Sequence, residues 1–282
     1  MQVVYEDDHM GVVIKPAGVE CYSSANGGHG KNTVKSALPF ALKPPAVGVK
    51  GAYRLPRAMH RLDRLTSGLF VVAKTRPAAV ELARCFAERE VEKEYTAIVM
   101  EPKPQSVVVG DGQGLVAGAK TPAKVGVEGT VDEPCFGKHA VTRYSVDESF
   151  SSPSFPSPPM DPPIDPPIDP SIELEEGLRE RELRFHLLKL KPETGRKHQL
   201  RLHCSHSLGM PIVGDSLYDN RSEIAKALRV AGLFLHASSL QMKHPVYTSR
   251  PEEIGVVLGR QGSRCCIGGL IMAHMSIYGN NH

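Results

Sequence analysis

The segment AMHRLDRLTSGLFVVAKT, residues 58–75, places one acidic residue, Asp63, between two arginines just ahead of an apolar run. An aspartate beside arginines keeps a low pKa, so it would be a carboxylate able to attack or to stabilise positive charge, not a proton donor. In extended chain Arg61 and Asp63 would project to one side of the backbone. Leu62 and Arg64 would project to the other. A structural salt bridge at the entrance of a strand fits the same pattern, and the spacing alone leaves both interpretations open.

A second cluster, ETGRKHQLRLH, gathers four basic residues around a predicted helix start: Arg196, Lys197, His198 and Arg201. Charge and free backbone N–H groups at such a place can hold phosphates. His198 and Arg201 are three positions apart and would share one helix face, opposite a stripe formed by Leu200, Cys204 and Leu208. A solvated basic face would give the same pattern, so this cluster also leaves two readings open.

Metal and cofactor chemistry has little support in the sequence. His203 and His206 could converge on a helix, but His198 would point elsewhere and no further ligand falls at zinc spacing, so we expect no metal. We find no P-loop and no GxGxxG after a predicted strand, so we expect no nucleotide cofactor. The Asp63 motif contains no second carboxylate, which disfavours a glycosidase-type acid–base pair.

The composition is that of an ordinary globular protein. The 282 residues, with 41% apolar and 23% charged side chains, suit one large domain or two small ones. The net charge of +3 fits an anionic partner without requiring one. Six cysteines without a CxxC pair predict free thiols in a reducing compartment. We see no targeting segment and no apolar run near the ~18 residues that span a bilayer, so we expect a soluble intracellular protein of the cytoplasm or an organelle.

The elements that must position these residues are mostly strands. In the first half we predict a hairpin with a turn at Glu6–His9, a long loop over 21–56 around a short helix near Thr33–Leu38, a buried strand Leu69–Ala73, a helix over 76–90 and a strand over 92–100. Val80, Ala83, Phe86 and Ala87 recur at helical spacing and are the predicted apolar face of that helix.

In the second half we predict strands over 137–146, 183–191 and 233–245, and a helix around 200–208 that Gly209 and Pro211 end. Strands outnumber helices without a regular βα alternation, which indicates the α+β class with a mixed, mostly antiparallel central sheet and flanking helices and loops.

Composition breaks sharply within this pattern. Residues 151–173 repeat DPPI and cannot form a helix or an inner strand. We therefore expect a catalytic domain in two parts, 1–149 and 177–250, around a proline-rich insert at 150–176, followed by a tail at 251–282.

Seven separated segments together resemble RNA pseudouridine synthases of the RluA type. They are YEDDHMGVVIKPAGV, HRLDRLTSGLFVVAKT, EKEYTAIV, GKHAVTRY, TGRKHQLRLH, PIVGDSLYD and LHASSLQMKHP, which follow in the family's order. The resemblance covers residues 3 to about 245. The proline-rich insert and the divergent tail are departures from the family pattern.

The resemblance implies the pseudouridine synthase catalytic fold and the isomerisation of uridine to pseudouridine in rRNA or tRNA, with no cofactor. Asp63 matches the family's essential aspartate, Arg201 the arginine that pairs with it, and Tyr95 the tyrosine that packs on the base and can reach the C5 proton. Arg61 matches the side chain that fills the space of the flipped-out nucleotide.

We further expect Arg64 and His198 to contact the RNA, and Arg196 and Lys197 to contact its phosphates. RNA is thus the expected partner of a chain that we expect to be a monomer. Two alternatives remain open at this stage. A non-catalytic RNA-binding protein would keep the basic site and form no product, whereas a glycoside or nucleoside hydrolase would release free uracil.

Overall fold

A computed structural model describes residues 1–22, 32–101, 126–152, 183–219, 232–246 and 253–257. Within these residues the chain forms one mixed sheet of ten strands. The strands are β1 Gln2–Glu6, β2 Met10–Lys15, β3 Ala52–Ala58, β4 Ser67–Thr75, β5 Glu92–Met100, β6 Glu128–Asp132, β7 Val141–Ser152, β8 Leu183–Pro192, β9 Leu235–Lys243 and β10 Glu253–Val257. Most of the predicted insert and tail lies outside the described residues.

The sheet is ordered β1-β2-β4-β9-β5-β8-β7-β6, with β3 added to β4 and β10 added to β9. Only β4 and β9 pair in parallel among the described strands, and this contact spans just Ser67–Gly68 against His236–Ala237. Every other described pair is antiparallel. The predicted α+β class with a mixed, mostly antiparallel sheet is therefore confirmed.

The middle of the sheet brings distant motifs together at Ala237. Gly68 of β4 and Tyr95 of β5 both pair with this residue, from its two sides. Gly68 has φ +116°, and a Cβ there would lie 2.3 Å from the Ala237 carbonyl oxygen, so only glycine fits. The loop that ends at β4 therefore lies one strand away from Tyr95.

The described helices are α1 Val34–Ala41, α2 Arg76–Ala87 and α3 Gln199–Leu202, which continues as a π-helical turn His203–Ser207. The Leu208 N–H donates to the His203 carbonyl, five residues back. Leu200 and Cys204 are buried and Leu208 packs on the same core, so the predicted apolar stripe is confirmed. Gly209 follows with φ +70° and ends the helix as predicted.

The predicted apolar face of α2 is wrong except at Phe86, which packs partly buried against the core beside β4. Val80 is 65% exposed, whereas the helix buries Ala78, Leu82 and Cys85 against β4 and its neighbours. Both stripes have helical spacing in the sequence. The sheet contacts the one that contains Leu82, whose side chain buries more apolar area than an alanine does.

The predicted loop over 21–56 was also partly wrong, because β3 occupies its end. This strand has largely exposed side chains and contains Pro56, so it gives no alternating apolar signal. Among the strands that the structure describes, it pairs only with β4. Proline is tolerated in such an edge strand because one side of the backbone has no ladder to complete. None of the described helices is long and apolar enough to cross a membrane.

Candidate active site

Asp63 lies in the loop between β3 and β4, and its neighbours fix that loop from both sides. Leu62 is buried, and its backbone N–H and carbonyl contact the Cys21 thiol at 3.3 and 3.2 Å. The Thr66 N–H donates to the Asp63 carbonyl at 3.1 Å. These contacts leave the Asp63 side chain 19% exposed at the protein surface. The carboxylate is thus held in place yet accessible from outside.

His60 anchors the start of the same loop. Its Nε2 accepts a hydrogen bond from the Val71 N–H at 2.9 Å, and its ring lies between those of Phe70 and Phe86. Burial, helped by the charge of Lys93, lowers the pKa of His60 to about 3. The imidazole is therefore neutral at physiological pH, as its acceptor role requires. His60 therefore holds the loop in place and is assigned no chemical role.

Lys15 holds the other end of the loop and was not among the residues predicted for the site. Its buried ammonium donates to the carbonyls of Pro16, Val19 and Arg64, at 2.9, 2.7 and 3.0 Å. Burial lowers its pKa to about 8, and the negative charge of Asp63 opposes that shift. In the sequence, a lysine ends the apolar run GVVIK. A charged side chain at the end of a buried strand needs hydrogen-bond partners, and this is the signal that could have identified it.

Arg201 makes its close ion pair with Asp215. Its Nε and Nη2 donate to the two Asp215 carboxylate oxygens at 2.7 and 2.6 Å, and both side chains are buried. Its Nη1 lies 3.9 Å from Asp63 Oδ2. The pairing of Arg201 with Asp63 implied by the resemblance is therefore the longer of two contacts. Arg201 presents only one remaining corner of its guanidinium to the candidate catalytic carboxylate.

Asp215 also orders the loop that carries it. Its Oδ1 accepts hydrogen bonds from the N–H groups of Leu217 and Tyr218 at 2.9 and 3.1 Å. Gly214, just before it, has φ +78°, and a Cβ there would lie 1.8 Å from the Gly232 carbonyl oxygen. Asp215 is therefore the main counter-charge of Arg201.

His198 approaches Asp63 from the other side. The residue has φ +52° and precedes α3, and its Nε2 lies 3.8 Å from Asp63 Oδ1. Its Nδ1 lies 2.8 Å from the Tyr218 hydroxyl. Burial lowers the pKa of His198, while the charge of Asp63 acts in the opposite direction.

His198 and Arg201 were predicted to share a helix face, but His198 lies just before α3. Arg201 is buried, so the alternative of a solvated basic face is wrong for this residue. Both side chains nevertheless approach the Asp63 carboxylate, through His198 Nε2 and Arg201 Nη1.

Tyr95 lies in the central strand β5 and packs against the two apolar clusters on either side of it. Burial raises its pKa above the ordinary value of 10.0, and the negative charge of Asp63 raises it further. The phenol therefore keeps its proton at neutral pH and lies within electrostatic range of the carboxylate. A neutral hydroxyl on a fixed ring can both pack on a planar base and exchange a hydrogen bond with it.

The remaining predicted RNA-binding residues are neighbours of Asp63 or His198 along the chain. Arg61, Arg64 and Lys197 are exposed. Arg196 is partly exposed, and its Nε donates to the His139 carbonyl at 2.9 Å. The expectation that Leu62 and Arg64 share a side was wrong, because Leu62 is buried and Arg64 is exposed. The chain turns at this point instead of running as a strand, so alternation does not apply.

The three histidines considered for a metal diverge. The His203 ring nitrogens contact Thr142 Oγ1 and the Glu133 carbonyl, whereas His206 is exposed. In the described part of the chain, no group of three His, Cys, Asp or Glu side chains could hold a metal ion.

The sequence profile of a family described as RNA pseudouridylate synthase matches residues 9–206. Ribosomal large subunit pseudouridine synthase D of Vibrio cholerae is 33% identical over 260 residues, which cover 87% of this chain and 64% of that protein. Ribosomal large subunit pseudouridine synthase C of Vibrio vulnificus is 30% identical over 261 residues, covering 92% and 66%. The chain thus spans slightly less than two thirds of these relatives.

Two solved human structures share the fold. One is titled RNA Pseudouridylate Synthase Domain Containing 4, with a TM-score of 0.57 and 23% identity over 97% of this chain and 93% of that one. The other, RNA Pseudouridylate Synthase Domain Containing 1, has a TM-score of 0.56 and 22% identity over 92% and 82%. These two likenesses concern the fold alone.

Proposed function

Because the chain belongs to the RNA pseudouridylate synthase family, we propose that it isomerises uridine to pseudouridine within RNA. The N1–C1′ glycosidic bond breaks, the uracil turns, and C5 bonds to C1′. Atoms and oxidation state are conserved, so the reaction requires no redox cofactor. The relatives named above are synthases of the large ribosomal subunit, which makes large-subunit rRNA the first substrate class to test. Transfer RNA is the second.

The observation that carries this proposal is the surroundings of Asp63. A partly exposed carboxylate lies 3.9 Å from a guanidinium nitrogen of Arg201 and 3.8 Å from an imidazole nitrogen of His198. Asp63 is assigned as the catalytic carboxylate, which attacks C1′ or the base, or stabilises positive charge as the glycosidic bond breaks. All three routes need an ionised group aimed at the nucleotide.

The counter-charges around Asp63 support this assignment. Asp215 takes both strong hydrogen bonds of Arg201 and thereby offsets most of its charge. The remaining attraction orients Asp63 without locking it in a short ion pair, so its oxygens stay available to a substrate. Lys15 adds a second, buried positive charge behind the loop. Removal of Arg201 would leave the buried Asp215 carboxylate without its counter-charge.

Tyr95 is assigned to the base. Its ring, fixed between two apolar clusters, would pack on the uracil and keep it in the site after the glycosidic bond breaks. Its hydroxyl oxygen would then accept the proton that leaves C5, while the hydroxyl's own proton passes to solvent.

The exposed basic residues are assigned to the RNA chain. A uridine stacked in RNA has to flip out, which costs a few kcal/mol, and Arg61 would fill the vacated space. Arg64 would contact the strand beside it, and Arg196 and Lys197 would bind phosphates. The RNA contact predicted for His198 is proposed to run through its Nε2 edge, since its Nδ1 is engaged with Tyr218. We propose that the enzyme acts as a monomer in a reducing compartment.

The direct test is to incubate the purified chain with a large-subunit rRNA transcript and to quantify pseudouridine by mass spectrometry of the nuclease digest. We expect product with the wild type and a loss of at least about a thousandfold in rate with Asp63→Asn. RNA binding and thermal unfolding should stay near those of the wild type, because Asn preserves the shape of the side chain.

Three results would decide against the proposal. Equal pseudouridine content with wild type and Asp63→Asn on both rRNA and tRNA transcripts would exclude this enzyme activity. Salt-sensitive RNA binding without product would favour the non-catalytic RNA-binding alternative. Release of free uracil would favour a hydrolase.

A further inference from the structure

The tight turn between β6 and β7 carries an exposed aromatic ring on an unfavourable backbone. Cys135 and Lys138 exchange two backbone hydrogen bonds, at 2.9 and 3.1 Å, around Phe136 and Gly137. Both central residues have positive φ, +51° and +71°, which is the pattern of a type I′ turn. Asn or Asp followed by Gly is the favoured pair in such a turn, and a bulky residue with positive φ is an outlier.

The turn is anchored so that the ring of Phe136 faces outward. The Cys135 thiol is buried and lies 3.4 Å from His203 Nε2. The same nitrogen lies 3.0 Å from the Glu133 carbonyl, and His203 Nδ1 lies 2.9 Å from Thr142 Oγ1. Within the part of the chain that the structure describes, the side chain of Phe136 is 64% exposed. An aromatic ring that faces solvent on strained backbone points to a role in binding.

A cleft of about 430 Å³ lies beside this ring. Its lining includes Glu133, Pro134, Phe136, Leu202, His206 and Ser207. The volume falls within the range of small-molecule sites. The negative charge of Glu133 would repel a phosphate inside the cleft, but it would not exclude a neutral, planar base.

Positive charge lies around the cleft. Lys138 is exposed directly after the turn, and Arg196 reaches the carbonyl of the next residue, His139. Lys197 is exposed beside Arg196. The nearby carboxylate of Asp132 lies 3.2 Å from the His139 ring nitrogen, on the exposed surface. Phosphates of a polyanion therefore have three cations to follow past the cleft.

A series of side-chain contacts connects the wall of the cleft with the candidate active site. The ring of His206, in the cleft wall, lies 6.0 Å from that of Tyr218. Tyr218 in turn contacts His198 and lies 5.1 Å from the Arg201 guanidinium, and both basic residues approach Asp63. A strand of RNA with one nucleotide at Asp63 can thus extend towards Phe136.

We propose that Phe136 is a stacking platform for an unpaired base of the substrate RNA, a base that flanks the uridine held at Asp63. This inference rests on the proposed function for its substrate class. Stacking on an aromatic side chain tolerates every base, so this contact would strengthen binding and position the strand without reading sequence.

The test compares Phe136→Asn with Phe136→Tyr in the full chain. Asn suits the first central position of the turn, so Phe136→Asn should unfold at the same temperature as the wild type or higher. Loss of one base stack weakens RNA binding by about 5- to 150-fold, so we expect Kd for a large-subunit rRNA transcript and KM to rise within that range. The kcat should change less than about twofold. Phe136→Tyr should behave as the wild type.

Phe40→Gln is the matched control, since Phe40 is 92% exposed on α1 and its loss should leave RNA binding unchanged. Unchanged RNA affinity of Phe136→Asn would overturn the proposal. A fall in its unfolding temperature by several degrees would also overturn it, because the ring would then be covered by this chain and not by RNA. Binding measured in the Asp63→Asn background is independent of turnover, so it can support Phe136 stacking even if no pseudouridine forms.

Discussion

Arg201 binds Asp215 through two hydrogen bonds of 2.7 and 2.6 Å and leaves its third nitrogen 3.9 Å from Asp63. One buried guanidinium therefore connects a structural carboxylate with the candidate catalytic one. The structural pair fixes where the arginine lies, and the arginine then fixes where Asp63 lies.

Asp215→Asn should both destabilise the protein and lower the rate of its reaction. The change keeps the size of the side chain but leaves the Arg201 charge buried without its main counter-charge, which costs about 3 kcal/mol or more. The released guanidinium would turn towards Asp63 and hold its carboxylate, so the rate of pseudouridine formation should fall by at least about tenfold.

Urea unfolding and single-turnover rates measure these two effects. The control is Asp147→Asn, which breaks a partly exposed pair with Lys189 and should cost no more than about 1 kcal/mol with full activity. Equal stability of the two variants would show that the Arg201–Asp215 pair does not hold the site.

Gly68→Ala should be among the most destabilising alanine substitutions in the sheet. The added methyl group would lie 2.3 Å from the Ala237 carbonyl oxygen and would also occupy a backbone with φ +116°. Overpacking and backbone strain together should cost about 3 kcal/mol or more. Gly48→Ala is the control, because Gly48 has φ +93° with open space around it and should lose about 1–2 kcal/mol. Denaturant midpoints compare the two, and similar losses would contradict the close approach of β4 and β9.

Because of Lys15, the free energy of unfolding should depend on pH in the alkaline range. Its pKa is about 8 in the folded chain and 10.5 as a model value. Below pH 8 both states hold the proton. Between pH 8 and 10.5 the folded chain releases it first, so the unfolded state binds more protons and the free energy of unfolding rises with pH, by about 3 kcal/mol in total.

Lys15→Met removes this group with little change in volume, so the free energy of unfolding of the wild type minus that of the variant isolates its titration. We expect this difference to increase from pH 8 to about 10.5. If this difference in the free energy of unfolding does not change with pH, the Lys15 ammonium is not shielded from water in the way that its three carbonyl contacts indicate.

Tyr95→Phe should lower kcat with little effect on KM or stability. The ring and its packing remain, and only the hydroxyl is lost, so a role at the C5 proton predicts a fall of about 10²–10⁴ in kcat. Tyr144→Phe, a partly buried tyrosine packed on the same core, should leave kcat unchanged. Turnover of Tyr95→Phe within twofold of the wild type would restrict this residue to packing on the base.

Several features of the protein are determined by the sequence alone. The apolar runs and turn residues predict the first hairpin, the buried strand β4, the strand of Tyr95 and the helix stripe of Leu200 and Cys204, because these patterns depend on neighbours a few positions apart. The ordered motifs identify the family, and with it Asp63, Tyr95 and Arg201 as candidates.

Other features were decided only by the tertiary structure. Which stripe of α2 is buried depends on which one meets the sheet, and β3 is a strand because β4 offers it an edge. The choice of Asp215 as the close partner of Arg201 and the approach of His198 to Asp63 depend on where the folded chain excludes water. A charge selects its partner by distance and burial in three dimensions, and neither quantity can be read from spacing along the chain.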